Sequence, residues 1–583
     1  MMMDSGEQRI SWIRGGLFGV LLLALYWLYG WRPFLIYAWP VVDDGLYIRN
    51  AEAFVSWIQG HGHAWLGAFD CFSLAKAPLY GPWLGSLHLL GIPVHVGEFL
   101  LVLAGPFLFR SAVRPITKLT GWKFAVVVVL LVANPMLPEE FRLRREGLHI
   151  ALTNLCLIAA VGFALHVGES MRKRVRWAAM AGLFLGLCYL NREEATWLSA
   201  AVFVAVAITL IHAGLTRRQT RQLLRPMVKA HSLVLLVLGL AFLLPVLTVC
   251  ALNKAYYGSF MTTWRRNSAF TGLYQRLTSL EPSGHQAYVP IARATRMKAY
   301  DLSPTFARFK PFLEGTGSYW IAGNGEHAVL NKRSPADKEF FVSYFEFCLL
   351  WAAQQAGAKT ADQMASMFGA IDRELGGAVR AGKIPAGSHG PAILAAPLAG
   401  DYKRILSAAV LSLWNLIRVT RNAYTWPTKI YSAQARMDDI ARLTHSSLAL
   451  YPQPSVHYSA REPVFRWIKR IQRIVFPGLL LAFVGLLVWK RKHVFTLAPS
   501  TQGLFLLSLA IPLCGLAAFC FGMGVVNVLG FEILRLGGYV DLGFAPLSVL
   551  CACIFMGLFL DRSKTPPPPP LREVTPAALE HQG

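Results

Sequence analysis

The chain has 583 residues, of which 55% are hydrophobic and only 15% are charged. A soluble domain carries about 25% charged residues, so this composition, with apolar runs of about 20 residues, predicts a polytopic membrane protein. The formal net charge of +25 lies mainly in short clusters between the apolar runs, which is typical of membrane topology and of attraction to anionic lipid. No basic and aromatic nucleic-acid module is recognisable, so we expect no nucleic-acid partner.

Hydropathy predicts ten membrane spans in chain order. They cover about 15–39, 97–112, 123–138, 148–167, 177–191, 195–213, 231–252, 473–489, 503–526 and 541–560. The first apolar run exceeds a signal-peptide core, so we expect it to be retained as a helix. With both termini cytoplasmic, the positive-inside rule is satisfied by every basic cluster: Arg110 to Lys123, Arg172 to Arg176, Arg217 to Lys229, and Lys490 to Lys492.

These spans divide the chain into four predicted parts. Residues 1–252 form an N-terminal transmembrane catalytic module with a first outer loop at 40–96, and residues 253–472 form a mainly helical extracytoplasmic domain. Residues 473–560 hold the C-terminal spans, and 561–583 form a Pro-rich cytoplasmic tail. Within the large domain, helical periodicity is visible at 340–351 and 361–379. The fold class is therefore α, with about ten transmembrane helices.

Small residues and cysteines give two further expectations. The pair Gly182 and Gly186 in span five predicts close helix packing inside the protein rather than dimerisation. Most of the nine cysteines lie in apolar spans and are expected to be packing residues. Only Cys71 and Cys348 fall in segments placed outside, where a disulfide between them is the minor alternative to free thiols.

Polar residues cluster at the predicted outer ends of several spans. Under the ten-span topology all of them face the same side and could converge just outside the bilayer. Carboxylates there can act as a general base on a hydroxyl, and arginines can hold a phosphate through charge-assisted bonds. For each cluster, the alternative is a position in the headgroup layer without specific function. For the cluster Asn191 to Glu194, a local salt bridge is an equally good explanation. The clusters are Asp43-Asp44, Glu139 to Glu146, Asn191 to Glu194, and Arg535 with Tyr539 and Asp541.

The order of motifs resembles that of the integral-membrane (C-type) glycosyltransferases, which include protein O-mannosyltransferases and lipid A aminoarabinose transferases. The acidic pair is followed by an amphipathic segment and then by Lys-Ala-Pro-Leu-Tyr-Gly-Pro-Trp-Leu at 76–84, as in the first loop of that superfamily. The segments 142–148, 190–195 and 253–260 are similar to its later motifs. Two positions depart from the pattern, since Ala77 replaces a usual proline and Glu146 a usual aspartate.

The resemblance implies an activity and roles for individual residues. It implies transfer of a sugar from a polyprenyl-phosphate-linked donor to an extracytoplasmic lipid, glycan or protein acceptor, with inversion, in a bacterial inner membrane. The implied catalytic residues are Asp43 as general base, Asp44 as second choice, and Glu146. The donor phosphate would be bound by Lys76, Arg142, Arg145, Arg192 and Arg535, and the substrates would be positioned by Tyr80, Glu193 and Tyr539.

No cofactor is required by the sequence, although a divalent cation could bridge Asp43 and the phosphate. Two other functions stay open. One is a non-catalytic scaffold or assembly protein with a degenerate glycosyltransferase fold, for which the departures at Ala77 and Glu146 leave room. The other is a transporter of a lipid-linked or acidic solute, which would favour broken helices at the midplane and an internal repeat.

Overall fold

The structure is a computed structural model that describes most of the chain. The described residues are 5–30, 34–35, 43–133, 143, 145–220, 224–280, 289–317, 339–340, 342–385, 401–418, 434–445, 448–449, 456–489, 501–530 and 543–559.

The described chain is mainly helical. The helices of its first half are α1 Ser5–Leu25, α2 Asp43–Ile58, α3 Tyr80–Leu89, α4 Val94–Ala112, α5 Gly121–Val132, α6 Glu146–Leu165, α7 Met171–Asn191, α8 Trp197–Thr220 and α9 Leu224–Tyr257. Those of its second half are α10 Ser268–Thr278, α11 Arg293–Leu302, α12 Pro304–Ala307, α13 Lys310–Leu313, α14 Val342–Gln355, α15 Ala361–Arg380, α16 Asp401–Ile417, α17 Gln434–Thr444, α18 Val456–Trp489, α19 Thr501–Ser508, α20 Ala510–Val525 and α21 Phe544–Gly557.

Each of the ten predicted spans overlaps a helix of the described chain. Five helical stretches there are long and apolar enough to cross a membrane: Val94–Ala112, Glu146–Leu165, Trp197–Thr216, Val228–Tyr257 and Gly503–Val528. Shorter apolar helices occupy Gly15–Leu28, Gly121–Val132 and Phe544–Gly557. The predicted spans at 177–191 and 473–489 lie within α7 and α18. The chain is therefore a multi-pass α-helical membrane protein, as predicted.

The first span ends earlier than hydropathy predicted. Its helix continues through a π-helical turn at Tyr26–Gly30, and the chain then forms a two-residue strand, Phe34–Leu35, that pairs in parallel with Leu448–Ala449. The helix cannot reach the predicted end of the span at residue 39, because Phe34–Leu35 are extended in this strand. Hydropathy counts the apolar side chains beyond Gly30 and is insensitive to the backbone conformation.

The helix α6 is the centre of the membrane bundle. All of its residues are buried, and it contacts α4, α7, α8 and α21. Beside it, α7 packs closely on α9, where a Cβ on Gly182 would lie 2.2 Å from the Leu238 carbonyl oxygen and one on Gly186 would lie 2.7 Å from that of Phe242. The two glycines therefore mark internal helix packing, as the sequence predicted.

A second apolar core lies in the large loop domain, a name used here for the described residues of 257–317 and 339–385. The predicted helix at 361–379 is confirmed as α15, whose start is capped by the Thr360 hydroxyl accepting from the Gln363 N–H at 3.2 Å. Residues of the first loop, including Trp65 and Leu74, belong to the same core as Trp264 and Phe368. The first loop and the large loop domain therefore form one packed unit.

The cysteines of this unit are not cross-linked. Cys71 and Cys348 are both buried in the second core as free thiols. Burial raises the pKa of each thiol, which keeps both protonated at neutral pH. The structure thus places them as packing residues, and the disulfide alternative is wrong.

Candidate active site

The candidate site is organised by two ion pairs that cross between α6 and the break after α7. Arg192 Nη1 donates to Glu146 Oε1 at 2.6 Å, and Arg145 Nη1 lies 2.8 Å from Glu193 Oε2. Each arginine thus pairs with a glutamate that follows the other arginine in the chain. The side chains are at most 10% exposed, and a buried pair of this kind is strongly coupled because removal of one partner leaves an uncompensated charge.

Backbone groups reinforce the same junction. Asn191, the last residue of α7, donates from its side-chain nitrogen to the Arg145 carbonyl at 3.0 Å, and Arg145 Nη1 donates to the Asn191 carbonyl at 3.1 Å. The bond to Asn191 satisfies a carbonyl that a helix end leaves without an intrahelical partner. Together the two bonds fix the start of α6 against the end of α7.

The first loop docks on this junction through its Lys-Ala-Pro-Leu-Tyr segment. The Ala77 N–H donates to Glu193 Oε1, and the Leu79 N–H donates to the Leu190 carbonyl at 3.0 Å. Glu193 therefore joins three separate parts of the chain. It contacts Ala77 of the first loop and Arg145, the residue before α6, and it belongs to the segment between α7 and α8.

A second buried carboxylate holds the start of α3. Tyr80 donates from its hydroxyl to Glu98 Oε1 at 3.3 Å, and its ring meets that of Tyr47 edge to face at a centroid distance of 5.1 Å. Glu98 also lies against Gly147, where a Cβ would be 2.5 Å from Glu98 Oε2. Glycine at position 147 therefore leaves room for this carboxylate beside the first turn of α6.

The large loop domain reaches the site through two consecutive arginines. Arg265 Nε donates to Glu346 Oε2 at 2.9 Å, and its Nη1 lies 4.0 Å from Glu193 Oε2. Arg266 stacks on the Tyr189 ring and donates to the Glu193 carbonyl at 3.4 Å. The domain is thereby anchored electrostatically to the junction between α7 and α8.

Lys76 lies at the edge of the site, between the first loop and the large loop domain. Its side chain is half-buried, whereas Arg145 and Arg192 are buried. Its Nζ lies 4.9 Å from the centroid of the Phe347 ring on α14. An aromatic face stabilises an ammonium group, so the Phe347 ring holds the Lys76 side chain at the border between the first loop and the large loop domain.

The structure brings together six of the predicted site residues. Lys76, Tyr80, Arg145, Glu146, Arg192 and Glu193 converge on the junction of α6, α7 and the first loop. Asp43 and Asp44 begin α2, four and three residues before Tyr47, and their side chains lie outside the described residues. Arg142, Arg535 and Tyr539 also lie outside the described residues.

Sequence reasoning missed Glu98, Arg265 and Glu346. Glu98 carried a signal that could have found it, since it is an acidic residue at the start of an apolar span, where an ionisable group is costly unless it has a role. Arg265 and Glu346 are 81 residues apart and show no mutual pattern in the sequence. Their pairing follows only from the packing of the large loop domain.

The site can perform charge stabilisation and positioning. Among the described residues, no group of three or more His, Cys, Asp or Glu side chains is placed to hold a metal ion. The described cations of the site outnumber its described carboxylates by five to four: Lys76, Arg145, Arg192, Arg265 and Arg266 against Glu98, Glu146, Glu193 and Glu346.

Comparisons with known proteins give the following findings. No protein-family model matches the chain, and no curated protein matches it. Solved structures that match include ArnT from Cupriavidus metallidurans in the apo state, with 15% identity and a TM-score of 0.28, covering 90% of this chain and 78% of that one. They also include the same protein bound to undecaprenyl phosphate, with 13% identity and a TM-score of 0.27, covering 88% and 78%.

Proposed function

We propose that this chain is a membrane glycosyltransferase that transfers a sugar from a polyprenyl-phosphate-linked donor to an extracytoplasmic acceptor. The observation that carries the proposal is the convergence of the three motif segments of the sequence. The first loop, the start of α6 and the break after α7 meet at Glu193, which contacts the Ala77 N–H and Arg145. Segments far apart in sequence thus build one polar junction at the boundary of the bundle.

In the proposed reaction, an acceptor hydroxyl attacks the anomeric carbon of the donor sugar. The bond between that carbon and the lipid phosphate oxygen breaks, and the polyprenyl phosphate leaves with the bonding electrons. In-line displacement inverts the anomeric configuration. Asp43 takes the hydroxyl proton as general base, with Asp44 as second choice. The helix α2 places this acidic pair one turn before Tyr47, whose ring contacts Tyr80.

The described cations divide into two proposed roles. Lys76 is half-buried and borders the large loop domain, so it would neutralise the phosphate directly. Arg145 and Arg192 already bind glutamates, so they would add fixed positive charge behind Lys76 while holding the junction together. Arg142 and Arg535 stay predicted phosphate ligands, and Glu146 and Tyr80 would orient acceptor and loop.

The test is a transfer assay with the purified full chain in lipid nanodiscs. A panel of radiolabelled polyprenyl-phosphate sugars is offered with membrane lipid and glycan acceptors, and release of polyprenyl phosphate is followed. Asp43→Asn is expected to lower turnover on the order of 10²–10⁴-fold. Asp301→Asn, an exposed acidic residue of α11, is the matched control and should keep full turnover.

Two results would contradict the proposal. Full turnover in both Asp43→Asn and Asp44→Asn would remove the acidic pair from the mechanism. Movement of intact donor across the bilayer of proteoliposomes, with no cleavage in any acceptor mixture, would instead favour a transporter.

A further inference from the structure

Three half-buried aromatic residues lie at the border between the first loop and the large loop domain. Phe72 of the first loop meets Phe347 at a ring-centroid distance of 6.3 Å and Trp351 at 5.7 Å. Phe347 and Trp351 belong to α14 and are four residues apart, which places them on one side of that helix. All three pack against the second core and are half-buried, so part of each remains accessible to solvent. We call these three residues the aromatic row.

Hydrogen bonds of the first loop fix Phe72 in the row. Its N–H donates to Asp70 Oδ1 at 2.8 Å, and the Cys71 N–H donates to Gln354 Oε1 of α14 at 3.3 Å. Asp70 is held in turn by Arg49 of α2, whose Nη2 donates to Asp70 Oδ1 at 3.3 Å. These contacts preorganise the aromatic row, which lowers the cost of ordering its side chains around a ligand.

One end of the aromatic row lies at the candidate active site. Lys76 Nζ is 4.9 Å from the centroid of the Phe347 ring, and Ala77, the next residue, donates to Glu193. From Phe347 the row continues along α14 to Trp351, a rise of about 6 Å. The row therefore begins beside the cation that we assign to the donor phosphate. In a glycosyl phosphate the sugar is bonded directly to a phosphate oxygen, so its ring would lie within reach of the row.

The chemistry of the aromatic row suits a sugar ring. The faces of aromatic rings carry partial negative charge, and the C–H groups of a sugar ring carry partial positive charge. The indole N–H of Trp351 has no acceptor among the described residues, and a sugar hydroxyl can accept from it. An apolar lipid chain would leave this donor unused, and a bare phosphate would gain nothing from the rings.

We propose that the aromatic row binds the sugar of the donor while the phosphate of the same molecule lies at Lys76. The inference rests on the proposed function and names the part of the site that recognises the sugar. The rings of Phe72 and Phe347 pack on the C–H groups of the sugar, and the Trp351 N–H donates to one of its hydroxyl oxygens. Apolar contact with a few directed polar groups is the usual means by which a small-molecule site fixes orientation.

The experiment compares ligands that differ only in the sugar. Undecaprenyl phosphate and its glucosyl, galactosyl, mannosyl and arabinosyl derivatives are titrated against the full chain in nanodiscs, and Kd is measured by microscale thermophoresis. At least one derivative is expected to bind the wild type more tightly than undecaprenyl phosphate does. Trp351→Leu should weaken binding of that derivative by about 3–10-fold and leave the Kd of undecaprenyl phosphate unchanged.

Two further variants separate the sugar from the phosphate. Lys76→Gln should weaken binding of both ligands, because it removes the charge at the phosphate. Phe203→Leu, which truncates an aromatic residue of α8 that is 72% exposed, is the control and should change neither Kd. Trp351→Phe keeps a ring and removes the N–H, so it repeats the comparison if Trp351→Leu fails to fold.

Three results would overturn the inference. Equal affinity of the wild type for undecaprenyl phosphate and all its derivatives would mean that no sugar is recognised, although the phosphate site would stand. A derivative that binds Trp351→Phe and Phe72→Leu as tightly as the wild type would place the sugar elsewhere and leave the proposed function intact. Failure of the wild type to bind any of these ligands would contradict the proposed function itself.

Discussion

Arg192 donates to Glu146 at 2.6 Å across 46 residues of chain, with both side chains buried at the start of α6. The pair joins two of the motif segments directly, and its mirror image, Arg145 with Glu193, joins them a second time. Four adjacent charges thereby form a compact junction that sets the relative position of α6 and the break after α7. The stability of this junction is open to measurement.

Arg192→Met is expected to lower the stability of the protein by about 3–5 kcal/mol, because Glu146 loses the cation that neutralises it in a buried position. The double variant Arg192→Met with Glu146→Leu should recover most of the loss, since neither charge then remains. Thermal unfolding in detergent measures both. Arg442→Met, which breaks the exposed pair with Asp439, is the control and should change stability by at most about 1 kcal/mol. A double variant as unstable as the single one would contradict the assignment.

Gly182→Ala is expected to destabilise the bundle by about 1–3 kcal/mol, because its new methyl group would meet the Leu238 carbonyl oxygen at 2.2 Å. The two backbones would have to move apart. Gly239→Ala, at a position on α9 with open space around its Cβ, is the matched control and should be neutral or slightly stabilising, since alanine is the better helix former. The comparison uses thermal unfolding, and equal melting temperatures for the two variants would argue against the close contact of α7 with α9.

Glu314 should make the stability of the large loop domain depend on acid pH. Burial by itself raises the pKa of Glu314, but Arg296, Arg293 and the Tyr300 hydroxyl outweigh it and hold the pKa below its ordinary value. A carboxyl with a lowered folded-state pKa contributes stability above its ordinary pKa and loses it as pH falls through the lowered value.

The wild type is therefore expected to exceed Glu314→Gln in melting temperature at pH 7, and the difference should shrink as pH falls toward about 3. Melting temperatures measured across this range test the prediction. The exposed Asp301→Asn variant, which also loses one carboxylate, is measured beside them as the control for net charge. A constant gap between wild type and Glu314→Gln at every pH would mean that the charge of Glu314 does not supply the difference.

Lys76→Gln is expected to raise the KM for a polyprenyl-phosphate sugar by about 10–100-fold, because a charge-assisted bond to the phosphate is worth about 1.5–3 kcal/mol. The exposed Lys298→Gln variant of α11 changes the net charge equally and should leave KM unaltered. Initial rates over a range of donor concentrations separate KM from kcat. An unaltered KM in Lys76→Gln would assign the phosphate to other cations.

The sequence by itself determined where the membrane helices are. An apolar run of about 20 residues must satisfy its backbone hydrogen bonds internally in lipid, and an α-helix does so within the run. The amphipathic helix α15 was likewise readable from its periodicity, because its buried residues Met364, Phe368 and Ile371 recur every three or four positions.

Only the tertiary structure decided which charges meet. The sequence of Arg192 and Glu193 allowed a local salt bridge, yet the contacts reach back to Glu146 and Arg145, more than 40 residues earlier in the chain. Opposite charge carries no information about which distant partner is chosen, since that depends on how α6 packs against α7. The position of α16 was likewise not readable from the sequence, because its residues lie in a segment predicted to be an extracytoplasmic domain. Its packing against the glycine at the end of α20 follows from the shape of the bundle.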